Sequence, residues 1–245
     1  VLESDEYTSI GATIEDNIYL PGLFFAVVRG EKRLLGVFNR NRQWVVEPST
    51  SNLFVNRNAF GHYQYVGPVA PDRLRMYEPA TDKFRLLDDR GNEVMADRYH
   101  FIGVFSSGVA AVGIERDQDG EKRYGAIDRA GNVVVPLTYR SLTPFYNGYA
   151  AAGQVGGNTY DILRPDGTIA FTQALRGPLR TTNHGVFGEG WIVLHDGQEA
   201  TYFDTNGEEK LRVACADAYP FREGSACIRD ADGRWRYIGT NGQTL

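Results

Sequence analysis

The chain has 245 residues, of which 42% are hydrophobic, 12% aromatic and 23% charged, with 28 glycines, 10 prolines and a formal net charge of −5. This composition is typical of a soluble globular protein, at a length that an all-β fold fills as one domain. Its basic residues form no run that would neutralise a row of phosphates, and no apolar stretch is long enough to cross a bilayer. We therefore expect neither a nucleic-acid partner nor a membrane span.

One motif recurs along the chain: an aromatic residue, a glycine three positions later and then a short apolar strand. Its clear instances are Tyr19/Gly22, Phe105/Gly108, Phe145/Gly148, Phe187/Gly190 and Phe221/Gly224, and Val69/Asp72 fits by register alone. Recurrence at intervals of a few tens of residues is the signature of a repeat architecture. The motif predicts six degenerate units of about 40 residues, with bounds near 7–68, 69–104, 105–144, 145–186, 187–220 and 221–245.

A second motif lies inside the units and combines two β-rich runs with a turn that contains Asp or Asn and Gly. The glycines of these turns are Gly91, Gly131, Gly167, Gly207 and Gly242. Such a pattern predicts a β-hairpin. The first unit has no glycine here, so Asn41 or Arg42 must adopt the left-handed conformation, which Asn tolerates better.

A third motif, Tyr-x-x-Ile/Leu/Val, precedes the next aromatic-to-glycine motif. It occurs at Tyr63, Tyr99 and Tyr139, and also at Tyr7. We interpret residues 7–10 as the last strand of a unit whose hairpin is at the other end of the chain. The recurrent aromatics Phe105, Phe145, Phe187, Phe221, Tyr99 and Tyr139 are expected to be core anchors, because packing requires them in every unit.

With these motifs aligned, the chain resembles the bacterial WG-repeat (KWG-repeat) family. Residues 124–136, Tyr-Gly-Ala-Ile-Asp-x-x-Gly-x-Val-Val-Val-Pro, are similar to its hairpin, while the Trp-Gly pair itself is eroded to Leu35-Gly36, Tyr124-Gly125 and Trp235-Arg236. The resemblance implies a β-rich repeat scaffold and no catalytic residues.

The predicted fold is therefore all-β, and no segment sustains a helical apolar period beyond two turns. Units of this length suit the four-stranded blades of a β-propeller, which we favour because strand exchange between the two ends would close the ring. An open twisted β-solenoid is the alternative.

Function is expected where the chain departs from the repeat, because insertions in repeat proteins map to loops on the binding face. The departures are residues 49–68 and 172–186. The candidate binding residues are Asn52, Asn56, Asn58, His62, Tyr63, His184 and Trp191.

Sites for metals and catalysis are weakly indicated. Asp117 with Asp119, and Asp230 with Asp232, resemble the start of a calcium loop, but the downstream glutamate is missing and Asp-Gly is also a hairpin turn. His184 and His195 lie eleven residues apart, and their motif has no acidic partner. We predict no cofactor and no enzymatic activity.

Cys215 and Cys227 flank the Phe221–Gly224 turn and either form one disulfide or remain two thiols. The first residue is valine, which is consistent with a removed secretory signal or a trimmed chain. The expected compartment is periplasmic or extracellular, with the cytoplasm as the alternative.

The favoured function is a non-catalytic binding or scaffolding protein that recognises a protein or another macromolecule through loops of the array. A narrower alternative is an immunity or inhibitor protein for a secreted toxin, steered to a basic target by its negative charge. A lectin or hydrolase that uses a central cleft, or an aromatic residue such as Trp44 or Trp191, is the second alternative.

Overall fold

The fold is that of a computed structural model, which describes residues 7–15, 18–28, 34–49, 56–57, 63–64, 67–78, 80–115, 120–180 and 185–245. Within these residues every regular element is a β-strand, and all strand pairs are antiparallel. The prediction of an all-β repeat fold is confirmed.

Each sheet is a meander in which consecutive strands are neighbours. The first contains β1 (Tyr7–Glu15), β2 (Ile18–Val28), β3 (Leu34–Asn39) and β4 (Trp44–Ser49). A ribbon of β5 (Asn56–Arg57) and β6 (Tyr63–Gln64) follows, and then a sheet of β7 (Gly67–Ala70), β8 (Arg73–Glu78) and β9 (Lys83–Asp88). The next comprises β10 (Phe101–Ile102), β11 (Val109–Glu115), β12 (Lys122–Asp128) and β13 (Val133–Tyr139).

Three further sheets repeat the same order. They are β14 (Ser141–Leu142), β15 (Ala150–Gly153), β16 (Thr159–Leu163) and β17 (Ile169–Ala174); β18 (Phe187–Gly188), β19 (Trp191–His195), β20 (Glu199–Asp204) and β21 (Glu209–Ala214); and β22 (Asp217–Ala218), β23 (Ser225–Arg229) and β24 (Trp235–Gly239). A four-stranded antiparallel meander is the sheet of a propeller blade. The preference for a closed ring over an open array stays a prediction.

The chain forms two compact units. The first comprises Val1–Phe105, Val112–Lys122 and Ile127–Asn132, and the second comprises Ser106–Ala111, Arg123–Ala126 and Val133–Leu245. The sheets of β1–β9 belong to the first unit and those of β14–β24 to the second.

The predicted hairpins form at the Asp-x-x-Gly turns, as the turn after β12 illustrates. Gly131 has a φ of +87° and donates its N–H to the Asp128 carbonyl at 3.0 Å. One Asp128 carboxylate oxygen accepts the backbone N–H groups of Ala130 and Asn132, each at 2.9 Å. The aspartate thus supplies a local acceptor and the glycine the left-handed residue of a bulged hairpin, so short-range chemistry sets this turn.

The aromatic-to-glycine motif is a two-residue turn between the first and second strands of a sheet. Asn147 and Gly148 have φ values of +49° and +88°, while Tyr146 and Tyr149 exchange backbone hydrogen bonds of 2.9 and 3.2 Å. Positive φ at both central residues defines the type I′ turn, whose twist matches that of the flanking strands. The preceding aromatic is buried at Phe145 and Phe221, as predicted.

Most of the hairpin glycines lie directly against the sheet that precedes their own. A Cβ at Gly91 would approach the Val45 carbonyl oxygen to 2.9 Å, and one at Gly207 would approach Phe171 Cγ to 2.7 Å. A Cβ at Gly167 would overlap the backbone oxygen of Val134 in β13. Each of these glycines is therefore required for two reasons: its positive φ favours glycine, and a side chain would prevent the close approach of the two sheets.

One detail of the sequence interpretation is wrong, and a choice that it left open is decided by the structure. Residues 7–10 belong to β1, which pairs with β2 as the first strand of its own sheet rather than the last strand of another unit. In the first glycine-less turn Arg42, not Asn41, has the positive φ, at +61°, because Asn41 donates its N–H to the Asn39 side chain in an Asx turn.

Candidate functional site

The candidate site is a cluster of four type I′ turns in the second unit, comprising residues 106–108, 146–148, 189–190 and 222–224. We call this cluster the turn rim. Ser107, Asn147, Glu189 and Glu223 occupy the first left-handed position of these turns. All four are exposed, so each turn presents a polar side chain to solvent.

Side chains of the turn rim bind the backbone of neighbouring turns. Ser107 Oγ accepts a hydrogen bond from the Gly148 N–H at 3.0 Å. The Glu189 carboxylate accepts the N–H groups of both Glu223 and Gly224, the latter at 2.9 Å. Because consecutive turns are held to each other, the rim is one braced surface rather than four independent loops.

Tyr146 and Arg222 join two turns that are 76 residues apart in the chain. Arg222 donates Nη2–H to the Tyr146 hydroxyl at 3.1 Å, and its guanidinium carbon lies 5.7 Å from the centre of the tyrosine ring. Gly185 packs against the other side of Tyr146, since a Cβ there would overlap the tyrosine Cβ. The tyrosine is thereby fixed while Arg222 remains exposed.

The turn rim carries residue types that are suited to recognition. Tyrosine and arginine are the residue types that dominate binding energy at protein interfaces, and a fixed tyrosine loses little entropy on binding. The Glu189 carboxylate already accepts two backbone N–H groups, so it stabilises the rim.

A buried ionisable group lies elsewhere in the second unit, at His195. Its side chain is 4% exposed, its Nε2 is 3.5 Å from an Asp217 carboxylate oxygen, and neither ring nitrogen has a hydrogen-bond partner among the described residues. Burial lowers the pKa of His195 below its ordinary value, while Asp217 opposes the shift. Sequence reasoning missed this acidic neighbour because it lies 22 residues away across a sheet boundary.

We expect His195 to make folding sensitive to mild acid. Its pKa in the folded state lies below the unfolded value of 6.5. Just below about pH 6.5, His195 is therefore protonated in the unfolded chain but remains neutral in the folded chain. The free energy of unfolding of the wild type should therefore fall, relative to that of His195→Gln, between about pH 7.5 and 5.5. Urea unfolding of both proteins across this range measures the difference, and parallel pH profiles would contradict the expectation.

The two cysteines are free thiols. Cys215 is buried, and burial raises the pKa of its thiol to about 11. Burial also raises the pKa of Cys227. A thiol with a raised pKa is a poor nucleophile near neutral pH, so neither residue is activated for catalysis.

The structure places the Asp230/Asp232 pair in a hairpin turn. Both Asp230 carboxylate oxygens accept the Arg236 Nε–H at 3.0 Å, and Asp232 accepts the backbone N–H of Arg234 at 3.2 Å. Asp117 and Asp119 lie outside the described residues. Among the residues that are described, no group of three or more His, Cys, Asp or Glu side chains is arranged to hold a metal ion.

For most of the binding residues predicted from sequence, the side chain lies outside the part of the chain that the structure describes. Asn52, Asn58, His62 and His184 lie outside the described residues, and for Asn56 and Tyr63 only the backbone, in β5 and β6, is described. Trp191 is half-buried, with its ring 5.1 Å from that of Phe221 and 6.3 Å from that of Tyr202. Its role in binding stays a prediction.

Sequence reasoning missed the turn rim because the aromatic-to-glycine motif was assigned to packing. One signal was available: the residue before the glycine is polar in all four turns, and two of the turns also carry Tyr146 and Arg222, which a turn alone does not need. No helix of the described residues is long and apolar enough to span a membrane.

The chain is similar to one known family and to several solved structures. Residues 124–157 match the family described as the WG containing repeat. This stretch is similar to a WG repeat. It begins at Tyr124-Gly125, where a Cβ on the glycine would overlap the Val135 carbonyl oxygen. The glycine of the WG pair is thus retained for close backbone packing, whereas another aromatic residue replaces the tryptophan.

No curated protein matches the chain. Among solved structures it is similar to BamB from Moraxella catarrhalis, at 13% identity over 96% of this chain and 74% of that chain, with a TM-score of 0.48. It is also similar to Hsv2 from Kluyveromyces lactis, at 8% identity over 91% and 71%, with a TM-score of 0.46. The WD40 beta propeller domain of Doa1 matches at 9% identity over 98% and 80%, with a TM-score of 0.38.

Proposed function

We propose that the chain is a non-catalytic scaffold that binds a partner protein through the turn rim. The observation that carries the proposal is the Tyr146–Arg222 pair, which joins two sheets and is braced by neighbouring turns. An exposed arginine held over a fixed tyrosine offers a partner one cation and several hydrogen-bond donors on a rigid base.

The antiparallel sheets behind the rim support this proposal. The strands that follow the turns are buried at Ala150–Gly153 and at Ile192–His195, so the turns are mounted on packed elements. A surface that is ordered before binding loses less entropy when it docks, and this favours recognition of a folded protein surface.

The described chemistry favours binding over catalysis. The buried His195 is shielded from solvent, and burial raises the pKa of both thiols. The turn rim itself holds no histidine or cysteine. Tyr146 and Arg222 are therefore proposed as binding residues, with no catalytic role.

The proposal is tested by partner capture with matched variants. The full chain is immobilised, captured proteins are identified, and the affinity of a purified partner is measured for wild type and for Tyr146→Ala/Arg222→Ala. We expect at least about 2 kcal/mol of lost binding, or roughly a 30-fold weaker affinity, because such residues act as interface hot spots.

The control is Tyr237→Ala/Arg234→Ala, which removes the same residue types outside the turn rim. Tyr237 is 59% exposed and the Arg234 side chain is 85% exposed, so this variant should fold and bind as the wild type does. A partner that binds the rim variant with wild-type affinity, and the control variant weakly, would refute the turn rim as the docking surface.

A further inference from the structure

We propose that the first unit contains a second, separate binding site, which takes an acidic saccharide of the uronic acid type beside Trp44. A cavity of about 450 Å³ lies here and is lined by Asn39, Asn41, Gln43, Trp44 and Arg90. Its volume is within the range of roughly 300 to 1,000 Å³ that is usual for small-molecule sites. We call it the Trp44 cleft.

The walls of the Trp44 cleft are two hairpin turns that Asn39 connects. The Asn39 carboxamide oxygen accepts the N–H groups of Asn41 at 2.9 Å and of Gln43 at 3.1 Å, and its Nδ2 donates to the Asp89 carbonyl at 3.0 Å. In three later repeats the equivalent residue is an aspartate, Asp88, Asp128 or Asp204, whose side chain has no donor, and in the other two it is Arg164 or Gly239. Asparagine at this position therefore connects its own turn to the next one, an arrangement that the repeat does not require.

Close packing brings Arg90 to the tryptophan. Gly91 lies against the carbonyl of Val45, the residue after Trp44. The neighbouring Arg90 thus lies at the mouth of the cleft. Its side chain is exposed, and like that of Asn41 it makes no hydrogen bond or ion pair to another described residue. Two strong hydrogen-bonding groups are consequently available to a ligand.

Trp44 supplies an apolar wall of fixed orientation. Its ring meets Phe38 edge to face at 5.7 Å and 87°, and Phe38 is 8% exposed. The tryptophan is half-buried and lines the cleft. A held aromatic ring favours contact with the C–H face of a flat ring over contact with a flexible chain.

The polar groups favour a saccharide acid over other flat ligands. The Asn41 carboxamide offers both donors and an acceptor, as hydroxyl groups do, and the Gln43 carboxamide offers its N–H donors while its oxygen accepts the Asn39 Nδ2–H at 3.4 Å. Arg90 matches a carboxylate with two parallel hydrogen bonds. Arg40 and Arg42 of the same turn are exposed and add positive charge, while the Asp88 carboxylate accepts the N–H groups of Arg90 and Asn92 at 2.9 and 2.8 Å. A nucleotide, which also stacks and carries an anion, is the competing ligand.

The test measures binding of three probes to the full chain by calorimetry and tryptophan fluorescence. The probes are a galacturonic acid tetrasaccharide, the galactose tetrasaccharide as its neutral match, and adenosine monophosphate. We expect the acidic tetrasaccharide to bind at least about tenfold more tightly than the neutral one, since a hydrogen-bonded ion pair distinguishes them. Trp44→Ala should abolish binding of both saccharides, and Arg90→Gln should reduce the affinity for the acid to that for the neutral sugar.

The controls are Trp235→Ala and Arg234→Gln, which remove a tryptophan that is 51% exposed and an arginine whose side chain is 85% exposed, both in the second unit. Both should bind the probes as the wild type does. Arg90 is exposed, so Arg90→Gln remains informative if Trp44→Ala folds poorly. No binding of the acidic tetrasaccharide at millimolar concentration, equal binding by Arg90→Gln, or tighter binding of the nucleotide would overturn the proposal.

Discussion

Gly167→Ala is expected to lower the free energy of unfolding by about 2 to 5 kcal/mol, the sum of left-handed strain and overpacking. Gly167 has a φ of +83°, and the added methyl group would overlap the Val134 carbonyl oxygen in the neighbouring sheet. A backbone oxygen cannot turn away as a side chain does, so relief requires the two sheets to separate. Urea unfolding followed by circular dichroism measures the change.

Gly190→Ala is the matched control for this substitution. Gly190 has a φ of +81°, but nothing lies within 4 Å of the Cβ position, so only the conformational strain of about 1 to 2 kcal/mol remains. The difference between the two variants isolates the contact between sheets. Equal losses of stability would mean that Gly167 is needed for its turn alone.

Asp161→Ala is expected to lower the free energy of unfolding by about 3 kcal/mol, because three donors lose one charged, buried acceptor together. Asp161 is 4% exposed and accepts hydrogen bonds from Thr172 Oγ1 at 2.6 Å, Gln154 Nε2 at 2.9 Å and the Tyr139 hydroxyl at 3.0 Å. Burial, and then Asp161 itself, raise the pKa of Tyr139 to about 12, so the phenol remains a donor near neutral pH.

Substituting one donor at a time tests whether the hydrogen bonds to Asp161 form one network. Tyr139→Phe and Thr172→Val each remove one donor and should each lower stability by about 1 kcal/mol. In the Asp161→Ala background the same substitutions should have little further effect, because the bonds they remove are already lost. Chemical unfolding of the wild type and the five variants completes the two double-mutant cycles, and full additivity would contradict a shared network.

The hairpins were predictable because their determinants are local. Asp128 and Gly131 satisfy the hydrogen bonds and the backbone angle of one turn within five residues, so the pattern and the structure correspond directly. The same holds for the type I′ turn at Asn147 and Gly148. Because the same motifs recur along the chain, these local assignments together predicted an all-β array.

The candidate sites were not predictable because their contacts are distant in sequence. Arg222 meets Tyr146 over 76 residues, and Asn39 meets Asp89 over 50. No period or motif encodes which turn lies beside which. The sequence interpretation also placed β1 in the wrong sheet, since a tyrosine motif indicates a strand but not its partner.

The packing of the hairpin glycines has a consequence for how such a chain changes length. Gly207 receives Phe171 from the preceding sheet, and Gly242 receives Leu211, each at less than 3 Å from a Cβ position. In such repeats the hairpin glycine leaves space for a side chain of the preceding repeat, and the last strand supplies a side chain to the glycine of the following repeat. Duplication or loss of a whole repeat keeps each glycine matched to a side chain, whereas loss of part of a repeat leaves one of them without its contact. Arrays of this kind are therefore expected to grow and shrink by complete repeats.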